Sequence, residues 1–457
     1  MKKITLSLCI LCAIILSFTE AKQQKRIVTV WSFGLFNCDE WKMRKDDIDK
    51  KFNIDLKIEL LSPKNFLKRF TNAMSGSEKA PDIIDWMIEN NRILYSDPDK
   101  SFVIPLNKYI EKYGLAKKVI ASRFSSITYS GNIYGLPHDA HPAVLIYNDT
   151  VWKRAGVDVS AIETWDEFFE EAKKLLLLKK NGMPVHFALP SSNMGLADSM
   201  FMIWQQTEIP IVTKDGKPDF NSPQFIEFVK KWVSWAETGT MTPWEWTNFS
   251  NQIADGTIAS YIAPDWWVSQ SDAAAKKGKY SMRIRNLPVY KKGMKCGSSW
   301  GGSFLAIPKG TKDPEKIFQI MNFMQYDKDA VIERYKNSGM IPPLKNIWNH
   351  KIFNQKDIRF ENAQIARIQI KSAENLPEIL MADHFWNYLA DFGQQYNEYY
   401  NEKHILFDEM IQNAQNNAMI RFNSKIDPYE IISSDIANDG FDDEEPEETT
   451  EEDVYDN

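Results

Sequence analysis

Tryptophan stands beside short polar side chains at four places in this chain: Asp85-Trp86, Asp265-Trp266-Trp267, Ser299-Trp300-Gly301 and His384-Phe385-Trp386. Asp139 and His141 add a carboxylate and an imidazole in a stretch punctuated by Pro137 and Pro142. Indole offers a large, rigid, apolar face with one N–H at its edge. Carboxylates and imidazoles pair strongly with hydroxyls, and an unpaired buried hydroxyl costs about 1–3 kcal/mol. Together these groups suit a ring that is apolar on its face and rimmed by hydroxyls, which describes a sugar. Each tryptophan has a plainer alternative as core. Adjacent side chains cannot share one face, so at least one of Trp266 and Trp267 is expected to look outward. Gly301 would let the backbone come close to a ligand. Trp31 inside the first strand, and Trp232 and Trp235 three apart on a helix, read as core. Trp244 and Trp246, flanking Glu245, are weaker candidates for the same cleft.

The elements that must carry these residues alternate. Arg26–Trp31, Asp55–Leu61 and Asp82–Met87 read as strands, and Trp41–Phe52 and Pro63–Met74 as helices, the second with Pro at its first position after Ser62. Ala143–Tyr147, Ser260–Ala263, Met282–Leu287 and Ser303–Ile307 are later strands. Thr164 with Glu167 forms a capping box. Pro314–Tyr326 is a helix, and a helical unit runs from Phe385 to Phe422. Alternation of this kind predicts an α/β fold with mainly parallel sheets, whose ligands sit beyond the carboxyl ends of the strands.

The 457 residues are too many for one ordinary core, so two lobes are expected. Tryptophan outnumbers histidine, 15 to six, which directs attention to apolar ring surfaces and away from metal chemistry. The net charge of −7 misleads, because the stretch from Asp435 to Asn457 holds twelve acidic residues and no Lys or Arg. The remainder is nearly balanced, with no basic stripe for nucleic acid. That tail, 435–457, is too polar to bury anything and is expected to be disordered. Residues 1–21 read as a signal peptide: Lys2 and Lys3, an apolar run from Ile4 to Phe18, then Thr19-Glu20-Ala21. A lipoprotein signal at Cys9 or Cys12 is the alternative, so a free or a lipid-anchored exported protein both stay open. Whether Cys38 and Cys296 pair stays open too.

From Tyr134 the chain carries a series of recognisable segments. These are Tyr134-Gly135-Leu136-Pro137, Leu145-Ile146-Tyr147-Asn148-Asp149, Gly156, Thr164-Trp165-Asp166-Glu167-Phe168, Trp300-Gly301-Gly302-Ser303-Phe304-Leu305-Ala306-Ile307-Pro308-Lys309, Gly339-Met340-Ile341-Pro342 and Phe385-Trp386. Their order closely resembles the extracellular solute-binding proteins of ABC importers, and more narrowly the family-one sugar-binding group that includes the maltose-binding protein. The likeness runs from about Arg26 to Phe422. His138 departs from it, since the family's run there is usually apolar or small.

The resemblance implies a two-lobed periplasmic-binding-protein-like fold of type II with a cleft between lobes. Lobe one would be 26–146 plus 286–345, and lobe two 147–285 plus 346–430. Trp86 and Trp386 would stack the sugar. Trp266, Trp267, Trp300 and Gly301 would line the cleft, with Asp139, His141 and Asp265 taking hydroxyls. It also implies a monomeric, non-enzymatic receptor without cofactor or metal, which closes on a carbohydrate and hands it to a membrane permease. A glycoside hydrolase, and a receptor of the same fold for a polyamine or peptide, are the rivals.

Overall fold

The structure is a computed structural model that describes residues 25–88, 94, 101–191, 196–243, 246–272, 274, 280–382 and 384–424. The expected signal peptide and acidic tail, Trp244, Glu245, Asp383 and the side chain of Trp246 lie outside the described residues.

Among the described residues, eight strands make up the two main sheets: β1 (Arg26–Ser32), β2 (Ile54–Leu60), β3 (Ile83–Met87), β4 (Leu136–Pro137), β5 (Val144–Asn148), β6 (Ser260–Ala263), β7 (Met282–Arg285) and β8 (Ser303–Ala306). The first sheet has the order β2-β1-β3-β8-β4. β1 runs parallel to both β2 and β3, as the alternation with helices predicts. β8 is antiparallel to β3, with Phe304 opposite Trp86. In the second sheet β6 and β7 run antiparallel on either side of β5. Parallel pairing therefore governs the first three strands and gives way at the crossovers. The reason is directional: β5 and β8 leave the crossover while β7 and β3 run toward it.

Local chemistry sets the helix ends. Ser62 Oγ accepts from the Asn65 N–H at 3.3 Å at the start of Pro63–Met74. Thr164 and Glu167 form the reciprocal capping box that starts Trp165–Ala172. The first helix begins earlier than its charged stretch suggests, at Leu35, and stops where Asn53 turns left-handed. The C-terminal helical unit is two helices, Phe385–Tyr400 and Phe407–Asn423.

Two hydrophobic cores form. One gathers Val28, Val30, Ile83, Ile84, Trp86 and Phe304; the other gathers Leu145, Ile146, Tyr261, Phe225, Trp232 and Phe392. They divide the chain at places somewhat different from the expected boundaries. β5 packs wholly with β6 and β7, so Ala143–Ile146 join the second core, as do Leu287 and Tyr290. Trp348, Phe353, Ala366 and Ile370 belong to the first. Trp31, Trp232 and Trp235 are buried, and the last two spend their indole N–H groups on Tyr396 and Asp166. Cys38 and Cys296 are free thiols, and burial pushes the Cys38 thiol up to about 11.

Candidate ligand cleft between the lobes

β3 ends where the two lobes face each other. Just beyond it, the Ile88 N–H donates to the Gly302 carbonyl at 3.0 Å, tying the strand end to the returning crossover. Ile88 and Arg123 form one wall of a cleft; Phe201 and Trp386 form the other, with Ser299 and Gly301 at the crossover between them. The two walls nearly meet, leaving about 20 Å³ between them, room for about one water molecule. Trp386 Nε1 is buried and has no hydrogen-bond partner among the described residues. That donor is held ready for an acceptor.

Arg123 is fixed from behind. Its Nε donates to the Asp139 carbonyl at 3.0 Å, and Nη2 donates to Asp139 Oδ1 and to the Gly301 carbonyl, each at 3.1 Å. Room for it exists because residue 302 is glycine at φ 145°. A Cβ there would lie 1.8 Å from Arg123 Nη2.

Behind the cleft runs a chain of buried charges that joins the lobes. Arg334 Nε and His138 Nε2 both reach Glu40 Oε2 at 2.8 Å. His138 Nδ1 lies 3.1 Å from Asp139 Oδ2, and His141 Nε2 lies 3.0 Å from the same oxygen. His141 Nδ1 then meets Asp265 Oδ1 at 2.6 Å, and Asp265 Oδ2 accepts from the Ile341 N–H at 2.6 Å. Both imidazoles therefore have carboxylates at both nitrogens, which only the doubly protonated ring satisfies as donor on each side. Burial alone would lower His141, but Asp139 and Asp265 outweigh it and hold the ring up to about 9. For His138, burial and Arg334 oppose protonation, while Glu40 and Asp139 prevail and hold it up to about 9. Burial acts to raise Asp139, yet His141, His138 and Arg123 keep its carboxyl well below the ordinary range.

The structure sorts the nine expected site residues into four groups. Trp386 and Gly301 line the cleft. Asp139, His141 and Asp265 come together, but as links of the buried chain, with their polar atoms turned on one another and away from the cleft space. Trp266 Nε1 donates to the Trp300 carbonyl at 3.1 Å, and the Trp300 ring sits 5.6 Å from Trp266 and 5.8 Å from Trp267. Trp267 is the inward-facing member of its pair, stacked on Phe249 at 4.3 Å. Trp266 lines a separate pocket with Tyr335, Gly339 and Arg359. Trp86 is corrected outright as a stacking wall. It is fully buried, and Phe66 covers its face at 3.5 Å and 14°. A central strand has both faces covered, and the helix Pro63–Met74 supplies that cover.

Arg123, Phe201 and Ile88 were missed. Phe201 lies in Asp198–Gln205, a helix buried on every side, where a cleft-facing ring has no distinctive pattern. Arg123 carried one faint signal, a lone cation within the serine-rich run Ser122–Ser126.

Comparison with known proteins agrees with this architecture. Residues 48–361 match the family described as bacterial extracellular solute-binding protein. An arabinooligosaccharide-binding protein of Halalkalibacterium halodurans is 24% identical over 302 residues, 62% of this chain and 63% of that one. Its counterpart from Bacillus subtilis is 25% identical over 295 residues, 62% and 65% of the two chains. The match thus spans just under two thirds of each relative's length. Among solved structures, a substrate-binding protein of Listeria monocytogenes in complex with cycloalternan superposes with a TM-score of 0.67 at 16% identity, over 88% of this chain and all of that one. A cyclo/maltodextrin-binding protein complexed with maltotetraose gives 0.68 at 17%, over 89% of this chain and all of that one.

Proposed function

The chain belongs to the bacterial extracellular solute-binding proteins, and from that premise we propose that it captures a carbohydrate between its lobes and delivers it to an ABC importer. The observation that carries the reading is the cleft itself. Trp386, with a free indole N–H, and Phe201 stand on one lobe; Arg123 and Ile88 stand on the other. Each half offers a surface too small to hold a sugar alone, so binding is strong only when the halves meet, and the ligand draws the protein toward closure. The permease reads that closure. The named relatives bind arabinooligosaccharides, which makes short pentose and hexose chains the first ligands to try.

The described lining of the cleft favours this reading over a polyamine receptor. A polyamine needs carboxylates, whereas Arg123 places a cation in the wall and no Asp or Glu lines the cleft among the described residues. The protein acts as an exported monomeric binder, free or lipid-anchored.

Titration calorimetry of the mature protein with arabino- and malto-oligosaccharides tests this. Micromolar binding, worth about −8 kcal/mol, is the expected result for at least one sugar. Binding of spermidine with no response to any sugar would overturn the reading.

A further inference from the structure

The chain crosses between the lobes at residues 140–143 and returns at 298–303, and the two crossings lie side by side. Ala140 packs in the first core and Ala143 in the second, so His141 and Pro142 are the first crossing itself. Pro142 pairs with Ser299, and the Ala143 N–H donates to the Ser298 carbonyl at 2.8 Å. His141 has a left-handed backbone, φ 47°, and Gly301 beside it has φ 80°. Glycine takes that conformation freely. A buried histidine does not, and such residues persist only where their surroundings hold them.

What holds His141 is a pair of carboxylates from opposite lobes. Nε2 lies 3.0 Å from Asp139 Oδ2 on the first lobe, and Nδ1 lies 2.6 Å from Asp265 Oδ1, just past β6 on the second. Asp265 turns its other oxygen to the Ile341 N–H, again on the first lobe. Asp139 is 1% exposed and Asp265 3%, so water does not stand in for the ring at either one. Asp139 also holds Arg123, which stands in the cleft wall. The imidazole is thus joined on one side to the cation of the cleft and on the other to the second lobe.

We propose that His141 is the positioning residue for lobe closure: its imidazolium ties Asp265 on the second lobe to Asp139 and Arg123 on the first, and so holds the closed form. The inference rests on the two-lobed capture proposed above, and it does not depend on which sugar fills the cleft. With one proton removed, the ring donates to a single carboxylate and turns a lone pair toward the other. The tie between the lobes is then lost, and His141 can leave its left-handed conformation. In the open form the ring keeps Asp139 and loses Asp265, so it holds its proton less tightly than in the closed form. Capture therefore takes up a proton from solvent, and affinity declines as pH rises through the closed-form value of about 9.

The surroundings make that profile readable. Arg123 is the only charged side chain among the described residues lining the cleft, and a guanidinium stays charged throughout. Tyr326 and Tyr335 sense the charges of Asp139 and Asp265, and burial keeps both phenols protonated. One other group facing this assembly titrates in the same range, His138. It joins Asp139 to Glu40 and, through Glu40, to Arg334, all on the first lobe, so its proton does not tie the lobes.

Calorimetry between pH 7 and 10, with the tightest-binding neutral sugar of the arabinose and maltose series, tests the proposal on the mature protein, His141→Gln and His138→Gln. The parent's affinity should fall about tenfold over that range, within the usual span of coupling between sites, while circular dichroism shows it still folded. At pH 8 its binding enthalpy should vary with the ionisation enthalpy of the buffer, which reports proton uptake. His141→Gln should bind about tenfold more weakly at pH 7, with a flat profile and no buffer effect, whereas His138→Gln should keep both. Asp265→Asn carries the same expectation as His141→Gln and replaces it if that variant does not fold. A flat profile in the folded parent, or a fall that His141→Gln shares, would overturn the tie and leave the carbohydrate reading standing. If no sugar binds the parent at any pH, the carbohydrate reading falls, and X-ray scattering of the ligand-free protein decides the tie. The radius of gyration should then be larger at pH 10 than at pH 7 in the parent and constant in His141→Gln; a constant radius in the parent would overturn it.

Discussion

The buried charge chain behind the cleft should make stability fall as the solution is made alkaline. His141 is held up to about 9 by Asp139 and Asp265 acting against burial, whereas an unfolded histidine titrates near 6.5. The folded state therefore binds the proton more tightly. Its contribution is fully present below about pH 6.5, declines as pH rises, and is gone above about pH 9. A gap of roughly 2.5 pKa units corresponds to on the order of 3 kcal/mol. His138 works in the same direction through Glu40 and the shared Asp139, so the two contributions are coupled and do not add simply. Urea unfolding at pH 6.5, 8 and 9.5, on the parent protein and on His141→Gln, isolates the effect. The parent should lose about 3 kcal/mol more than the variant across that range. Parallel losses would show that His141 is not held as a cation between Asp139 and Asp265, and the account of the chain would fail.

Trp386→Ala should weaken binding of the preferred sugar at least tenfold in calorimetry while leaving the melting temperature within a few degrees; unchanged affinity would take the indole out of the site. Trp86→Ala should act in the opposite manner, since it empties a core position stacked on Phe66. The cost is about 3–5 kcal/mol of stability, read by urea unfolding. Gly302→Ala should drive Arg123 off Asp139, because the added methyl falls on Nη2. The expected cost is at least about 2 kcal/mol, and a variant as stable as the parent would contradict the packing described.

The parts of this molecule that were legible in the sequence are those fixed by neighbours along the chain. Ser62-Pro63 and the Thr164–Glu167 box set helix starts through contacts three residues apart, and Ser260–Ala263 and Pro314–Tyr326 form as their local pattern predicts. Trp386, the second residue of the helix Phe385–Tyr400, stands at a place the family resemblance marks, and the fold brings it to the cleft wall. Trp86 was misread for the same reason: its neighbours in sequence do not reveal Phe66, which reaches it from another helix. Asp139, His141 and Asp265 were singled out as polar, but 124 residues separate His141 from the carboxylate it meets. Nothing short of the fold shows that they satisfy each other. His138, noted only as a departure from the family pattern, is the link between Glu40 and Asp139.

The reversed strand β8 has a consequence for how the chain acquires its shape. It sits between β3 and β4 in the first sheet, yet it follows every strand of the second sheet in sequence. A chain emerging from its amino end can pair β1, β2 and β3 early, but β4 has no neighbour in that sheet until Ser303–Ala306 arrives. Closing so long a loop is entropically slow. The first lobe's sheet can therefore be complete only after the chain has passed through the second lobe and returned, so neither lobe is a self-contained stretch of sequence.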